Sequence, residues 1–170
     1  MSQYMNDPGL LASEAEGREA ENDKFVQWLG DSGERGDQLD ERVHRIYNRV
    51  EAAIDCTHCG NCCNTLIIDV SANEISKCAD AMAVSEAEFK EKYIEESQQG
   101  RCFISSIPCH FFADKKCTIY DLRFDDCRQF PHLHKPDFLQ RLPGTLLHYS
   151  RCPIIYHTIE ELKVEVGFEG

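Results

Sequence analysis

Residues 39–54 set the first clear pattern. Leu39, Val43, Ile46, Tyr47, Val50 and Ile54 recur three and four positions apart, with arginine and glutamate on the remaining positions. That period predicts an amphipathic helix with one apolar stripe, and it delivers the chain into Cys56. Upstream, Ser13 and Glu16 have the spacing of a capping box ahead of Phe25, Val26, Trp28 and Leu29. Gly30 is the expected stop, and "DSGERGD" reads as a linker. Downstream, "TLIIDV" (65–70) is a short apolar run of strand type. Ser71/Glu74 and Ser85/Glu88 then repeat the capping-box spacing. Ile75, Cys78, Ala79 and Met82 form one helical stripe, Phe89, Tyr93 and Ile94 a second, and Gly100 closes the stretch. Residues 71–99 therefore predict two consecutive helices.

Periodicity fades after residue 100. The run from Arg101 to Gly144 is rich in cysteine, aromatics and proline, so something besides a regular core must fix it. Near the end, "TLLHY" (145–149) predicts a strand, 154–162 a short helix, and the alternation in "KVEVGF" an edge strand. No repeat and no low-complexity tract is present. The expected fold is mainly α with small β elements, an α+β chain with a loop-rich half. Residues 1–36 read as an acidic, loosely ordered N-terminal segment, and 37–170 as one domain that includes the lead-in helix.

Charge narrows the function classes. The 170 residues carry a formal net charge of −12. Residues 1–55 hold 13 acids and 6 bases, so −7 of that balance precedes the cysteines. A chain without a basic stripe is not expected to bind nucleic acid. The start "MSQYMNDPGL" lacks a basic region followed by an apolar run, so no signal peptide is expected. Apolar stretches are too short to span a bilayer. A cytoplasmic, reducing setting is the expectation, and there thiols stay reduced unless a metal or a redox reaction uses them.

The ten cysteines fall below the roughly 8–10% of a disulfide scaffold, and their spacing is uneven. "CTHCGNCC" packs Cys56, Cys59, Cys62 and Cys63 into eight residues. Cys-x-x-Cys places two soft thiolates on one tight turn, where a single zinc or iron centre can hold both. Here that spacing occurs twice in overlap, and Gly60 lets the backbone turn between ligands. Cys62 and Cys63 point in different directions, so they can serve different metals, or one can only pack. A second set follows at Cys109, Cys117, Cys127 and Cys152, separated by 7, 9 and 24 residues. Eight thiols suffice for two tetrahedral sites, or for an iron–sulfur cluster with a separate zinc. Arg123, Arg128 and Arg151 stand near ligands in sequence and can offset thiolate charge. His58 and His110 can each replace a thiolate, and His132 and His134 can orient ligands or simply be solvated. Cys78 lies on a helical apolar stripe as a core residue, and Cys102 is the spare thiol.

"CTHCGNCC" followed by "PCHFFADKKCTIYDLRFDDCRQFP" resembles the CxxCxxCC family of zinc- or iron-chelating domains, the YkgJ-like cysteine-cluster proteins. Cys109, Cys117, Ile119, Tyr120, Arg123, Cys127, Arg128, Phe130 and Pro131 fall on that family's second motif, and the likeness spans about 56–152. Phe124 stands where the family has proline. The resemblance implies a metal-stabilised domain holding Zn2+ or iron, a 4Fe–4S cluster included, on Cys56, Cys59, Cys62, Cys63, Cys109, Cys117, Cys127 and Cys152. One branch of the family is linked to flagellin lysine methylation, so a metal-dependent enzyme is the alternative reading, although no nucleotide or methyl-donor motif is present. A disulfide or redox protein is the third. The partners expected are metal ions, with neither nucleic acid nor membrane.

Overall fold

The computed structural model describes residues 4–34 and 36–170, and for His58 the backbone only. In chain order the elements are α1 (Pro8–Ala15), α2 (Glu19–Asp31), α3 (Gly36–Ala53), α4 (Cys56–Cys59), α5 (Asn61–Thr65), α6 (Ala72–Ala81), α7 (Glu86–Tyr93), β1 (Ile94–Glu96), β2 (Cys102–Ile104), β3 (Phe112–Ala113), β4 (Lys116–Cys117), α8 (Asp125–Gln129), α9 (Phe138–Leu146) and α10 (Pro153–Val166), with a 3-10 turn at Tyr120–Leu122. The fold is mainly α, with two small antiparallel two-stranded sheets among the described residues. No helix among them is long and apolar enough to cross a membrane. The chain divides into two compact units, Met1–Cys59 with Pro131–Gly170, and Gly60–Phe130.

In the first unit α10 packs on α3, α9 on α2 and α3, and α1 on α10. The α3 stripe is buried as its period predicts, with Leu39, Val43, Ile46 and Val50 fully inside. Residues 8–15 and 19–31 are helical, and Leu11, Phe25 and Leu29 are buried. The capping box expected at Ser13 is absent. Ser13 lies inside α1, which Asp7 caps by accepting from the N–H groups of Gly9 and Leu10 at 2.9 Å. Gly30 lies within α2, which runs on to Asp31.

Two segments of this unit expected as strands form no strand. Residues 145–146 end α9 and 147–149 form a turn. The α9 N-terminus is capped from a distance, since the Asp40 carboxylate accepts from the N–H groups of Asp137 and Phe138 at 2.8 and 2.9 Å. Residues 163–166 continue α10. Lys163 is buried there and donates to Glu21 and Glu160 at 2.7 and 2.8 Å, whereas Val164 is 82% exposed. Burial thus follows the helical period, against the alternation of "KVEVGF".

The second unit is built on two capping boxes. Ser71 with Glu74 starts α6 and Ser85 with Glu88 starts α7, both with the reciprocal bonds formed. Ile75, Cys78 and Ala79 of α6 meet Phe89 of α7 in a core closed by Ile104, Phe111 and Phe124. Helix α7 stops at Tyr93, short of Gly100, and 94–96 form β1. β1 pairs with β2 in the register Ile94↔Ile104, Glu95↔Phe103, Glu96↔Cys102. The expected strand at 65–70 shrinks to one bridge, Asp69↔Phe103. Its extended end still pairs with β2, through Ile104 N–H to the Ile68 carbonyl at 3.0 Å and Val70 N–H to that of Cys102 at 2.9 Å.

Candidate metal centre

Three short segments of the second unit converge on one cavity, and each is fixed by its own local chemistry. Gly60, at φ 61°, turns the chain into α5, which carries Cys62 and Cys63. A Cβ on Gly60 would stand 2.8 Å from Phe112 Cε2 and 3.0 Å from the Lys115 carbonyl oxygen, so only glycine lets α5 start this close to the next segment. That segment is the β3–β4 hairpin. Its two turn residues, Asp114 and Lys115, both have positive φ, the geometry of a tight two-residue hairpin. The hairpin sets Cys117 opposite Phe112, and Cys109 just before it donates its N–H to the Cys63 carbonyl at 2.9 Å. The third segment is α8, with Cys127 at its centre. Glu74 holds its start by accepting from Asp125 N–H at 2.5 Å while also capping α6.

Cys62, Cys63, Cys109, Cys117 and Cys127 therefore line a single cavity of about 40 Å³. Its wall is largely apolar, with Leu66, Ile68, Phe111 and Phe124 among the lining residues, and Arg123 and Asp126 supply its charges. Organic ligands take sites of about 300–1,000 Å³, so this one suits an ion. Among the described residues no group of three or more Cys, His, Asp or Glu side chains forms a closed ligand set. Within the cavity the Cys62 and Cys63 side chains are hydrogen-bonded to each other.

Burial pushes the Cys127 thiol up to about 12, helped by the charges of Cys62, Cys109, Asp126 and Cys117. Burial also raises Cys109, with Cys117 and Cys62 adding to it. Cys63 is raised by its bond to Cys62, then by burial and by the charges of Cys62, Cys117 and Cys127. Cys62 goes the other way, because Cys63 bonds to it and the Arg123 charge favours its thiolate. Five soft donors in electrostatic reach of one another, in a cavity with a largely apolar wall, fit a thiophilic cation, which displaces thiol protons and offsets the repulsion.

The remaining expected ligands lie in the first unit. Cys56, exposed, opens α4 and Cys59 closes it. Cys152 is buried at the N-cap of α10. Burial raises the Tyr47 phenol, as do its bond to Glu51 at 2.6 Å and the charges of Cys56 and Cys152. The eight expected ligands thus fall five in the second unit and three in the first.

Other expected participants have different work. Arg123 lines the cavity, and its guanidinium sits 4.1 Å from the Tyr120 ring centre. Arg128 stitches the turn by donating to the carbonyls of Arg123 and Asp121 at 2.8 and 3.0 Å, and Arg151 is exposed. The His110 Nε2 bonds Ser105 Oγ at 3.0 Å, and its ring meets Tyr93 edge-on. His134 is exposed with its ring near Tyr47, and His132 takes a left-handed turn at φ 61°. The His58 side chain lies outside the described residues. Cys78 is buried in the α6 core, and Cys102 packs beside the same core from β2. Phe124, in the family's proline position, is 2% exposed and packs against Phe111. Asp126 and Tyr47 carry no motif signal that would have marked them beside thiols.

No curated protein and no solved structure matches the chain. The model of the CxxCxxCC family, described as a zinc- or iron-chelating domain, matches residues 55–144. That match covers more than half of the sequence and all the residues lining the cavity, so this chain belongs to the CxxCxxCC family.

Proposed function

We propose that this chain is a metal-binding protein that holds one Zn2+ or iron ion on thiolates of Cys62, Cys63, Cys109, Cys117 and Cys127, with structural integrity of the second unit as the first consequence. The observation that carries the reading is the convergence of five thiols from three separate segments on one ion-sized cavity. A tetrahedral site uses four thiolates. The fifth is Cys62 or Cys63, which sit side by side on α5, so either can complete the set. Four thiolates around a divalent ion leave a charge of about −2, and Arg123 is the cavity's positive neighbour. One ion fits the volume better than a 4Fe–4S cluster. About 40 Å³ is room for roughly three waters, whereas the cluster brings eight core atoms.

Anaerobic purification followed by metal and sulfide analysis tests the reading. The expected result is tightly held zinc or iron without inorganic sulfide, lost in Cys127→Ser. Folded protein free of metal that does not take up zinc or iron would sink it. Four irons with four sulfides, and absorption near 400 nm, would replace the single ion by a cluster.

A further inference from the structure

The capping boxes that open α6 and α7 have the same residues but not the same bonds. At α7 a single oxygen, Glu88 Oε2, accepts from the Ser85 N–H at 2.8 Å and the Ser85 hydroxyl at 2.7 Å. At α6 Glu74 Oε2 does the same for Ser71, from the N–H at 2.8 Å and the hydroxyl at 2.5 Å. The other oxygen, Oε1, accepts from the Asp125 N–H at 2.5 Å, 51 residues further along the chain. That N–H opens α8 and has no partner inside its own helix. A helix of five residues has too few bonds of its own to fix where it starts. Its neighbours hold it instead: Glu74 from α6, and Asp69, whose N–H donates to Asp126 Oδ2 at 3.3 Å. Helix α6 also reaches the turn before α8, where the Cys78 thiol faces the Leu122 carbonyl at 4.0 Å. Glu74 is half-buried and does not line the cavity. Burial alone would raise its carboxyl, but the Ser71 and Asp125 donors hold it below the ordinary value.

We propose that Glu74 is a positioning residue of the metal centre: without touching the ion, its Oε1 fixes the start of α8 and so the place of the Cys127 sulfur among the cavity thiols. The proposal rests on the reading that the cavity holds a metal on thiolates. It adds a group outside the cysteine pattern on which the geometry of the site depends. Position 74 requires a carboxylate where position 88 does not. Glutamine offers one acceptor oxygen and one donor NH2 group. At 88 that oxygen can serve Ser85 in full, because both bonds go to Oε2. At 74 it can serve Ser71 or Asp125, and the NH2 group then meets the N–H left over, donor against donor.

Zinc and cobalt(II) titration of the full chain, as wild type, Glu74→Gln, Glu88→Gln and Asp125→Pro, tests this. Proline removes the N–H that Glu74 accepts and leaves the Ser71 box whole. It suits the first position of α8, behind an extended Phe124 at φ −62°, ψ 154°. Glu88→Gln should match the wild type. Glu74→Gln should bind roughly 10–100-fold more weakly, the usual loss for a residue that orients a ligand. At saturation its cobalt absorption bands should shift, because the Cys127 sulfur is displaced rather than lost. Asp125→Pro should show the same shift, and adding Glu74→Gln to it should weaken binding no further, since both remove one bond. If Glu74→Gln loses stability but keeps the wild-type affinity and cobalt bands, Glu74 is a helix cap only and the proposal is overturned. If Glu74→Gln does not fold, Asp125→Pro decides, and wild-type affinity and bands there overturn it. A wild-type chain that takes up neither ion overturns the metal reading and this proposal with it. Unchanged Glu74→Gln and Asp125→Pro in a chain that does bind metal overturn this proposal alone.

Discussion

Gly60 shows how much of the cavity hangs on one residue without a functional group. Its φ of 61° is left-handed, and the space where a Cβ would go is filled by the Phe112 ring and the Lys115 carbonyl. The carbonyl belongs to a tight hairpin turn, so it cannot yield as a flexible side chain would. Gly33 is a natural comparison, since it also has positive φ, at 71°, but nothing stands within 4 Å of its would-be Cβ. Gly33→Ala carries the backbone strain alone, roughly 1 kcal/mol. Gly60→Ala adds steric overlap, which costs typically ~1–3 kcal/mol, and it pushes α5 away from the hairpin that bears Cys117. Chemical denaturation of the two variants should place Gly60→Ala clearly below Gly33→Ala in stability, and only Gly60→Ala should weaken metal retention. Equal stability with unchanged metal content would show that α5 and the hairpin are not held by this contact.

At the level of elements, what could be read locally and what could not separate by the range of the determining contact. The α3 stripe and the Ser71 and Ser85 capping boxes are written within a few residues of where they act, and all three form. Helix α9 is not. Pro143 and Gly144 lower its propensity, and its cap comes from Asp40, 97 residues before Asp137. The end of α10 misleads for a related reason, because the buried cation Lys163 is stabilised by Glu21 of α2. The same holds for the site. Cysteine spacing announces a metal, but the division of the thiols between units depends on how α5, the β3–β4 hairpin and α8 meet. Two elements of the first unit also make it acid-sensitive. Burial lowers the affinity of His157 on α10 for a proton below its ordinary range, even with its Nε2 bonded to the Met5 carbonyl at 3.0 Å and Glu160 and Glu161 nearby. The unfolded chain therefore takes up that proton first, at about 6.5, and stability falls as pH drops below it. Glu21 has its carboxyl held below the usual value by the Lys163 bond, against partial burial. Its stabilisation is complete above about 4.3, the unfolded value, and is lost as pH falls through the folded one. NMR titration should find the His157 ring titrating below 6.5 and the Glu21 carboxyl below 4.3. A His157 value at or above 6.5 would remove it as a source of acid sensitivity.

On the scale of the whole molecule, the two units have unequal means of staying folded without a metal. The first buries long helical faces on α3 and α10, with Ile46, Val50, Ile155, Ile159 and Leu162 essentially inaccessible. In the second, α6 and α7 have closed capping boxes and a shared core. Residues 109–130, by contrast, hold two-residue strands, a 3-10 turn and the five-residue α8. Elements that short are not stable by themselves. Cys109, Cys117 and Cys127 are crowded into one cavity, and a net charge of −12 on the chain favours arrival of a cation. Structural zinc sites contribute apparent binding energies of ~10–16 kcal/mol, against ~5–15 kcal/mol for the net stability of a domain. Removing the metal should therefore release 109–130 first, leave α6 and α7 partly protected, and change α3 and α10 least. Hydrogen exchange before and after chelation reads this segment by segment. Loss of amide protection confined to 109–130 and the adjoining α5 is the expected outcome. Unchanged protection there after complete metal removal would mean that Phe111, Phe124 and their neighbours hold the loops by packing alone, and that the metal has a role other than structural.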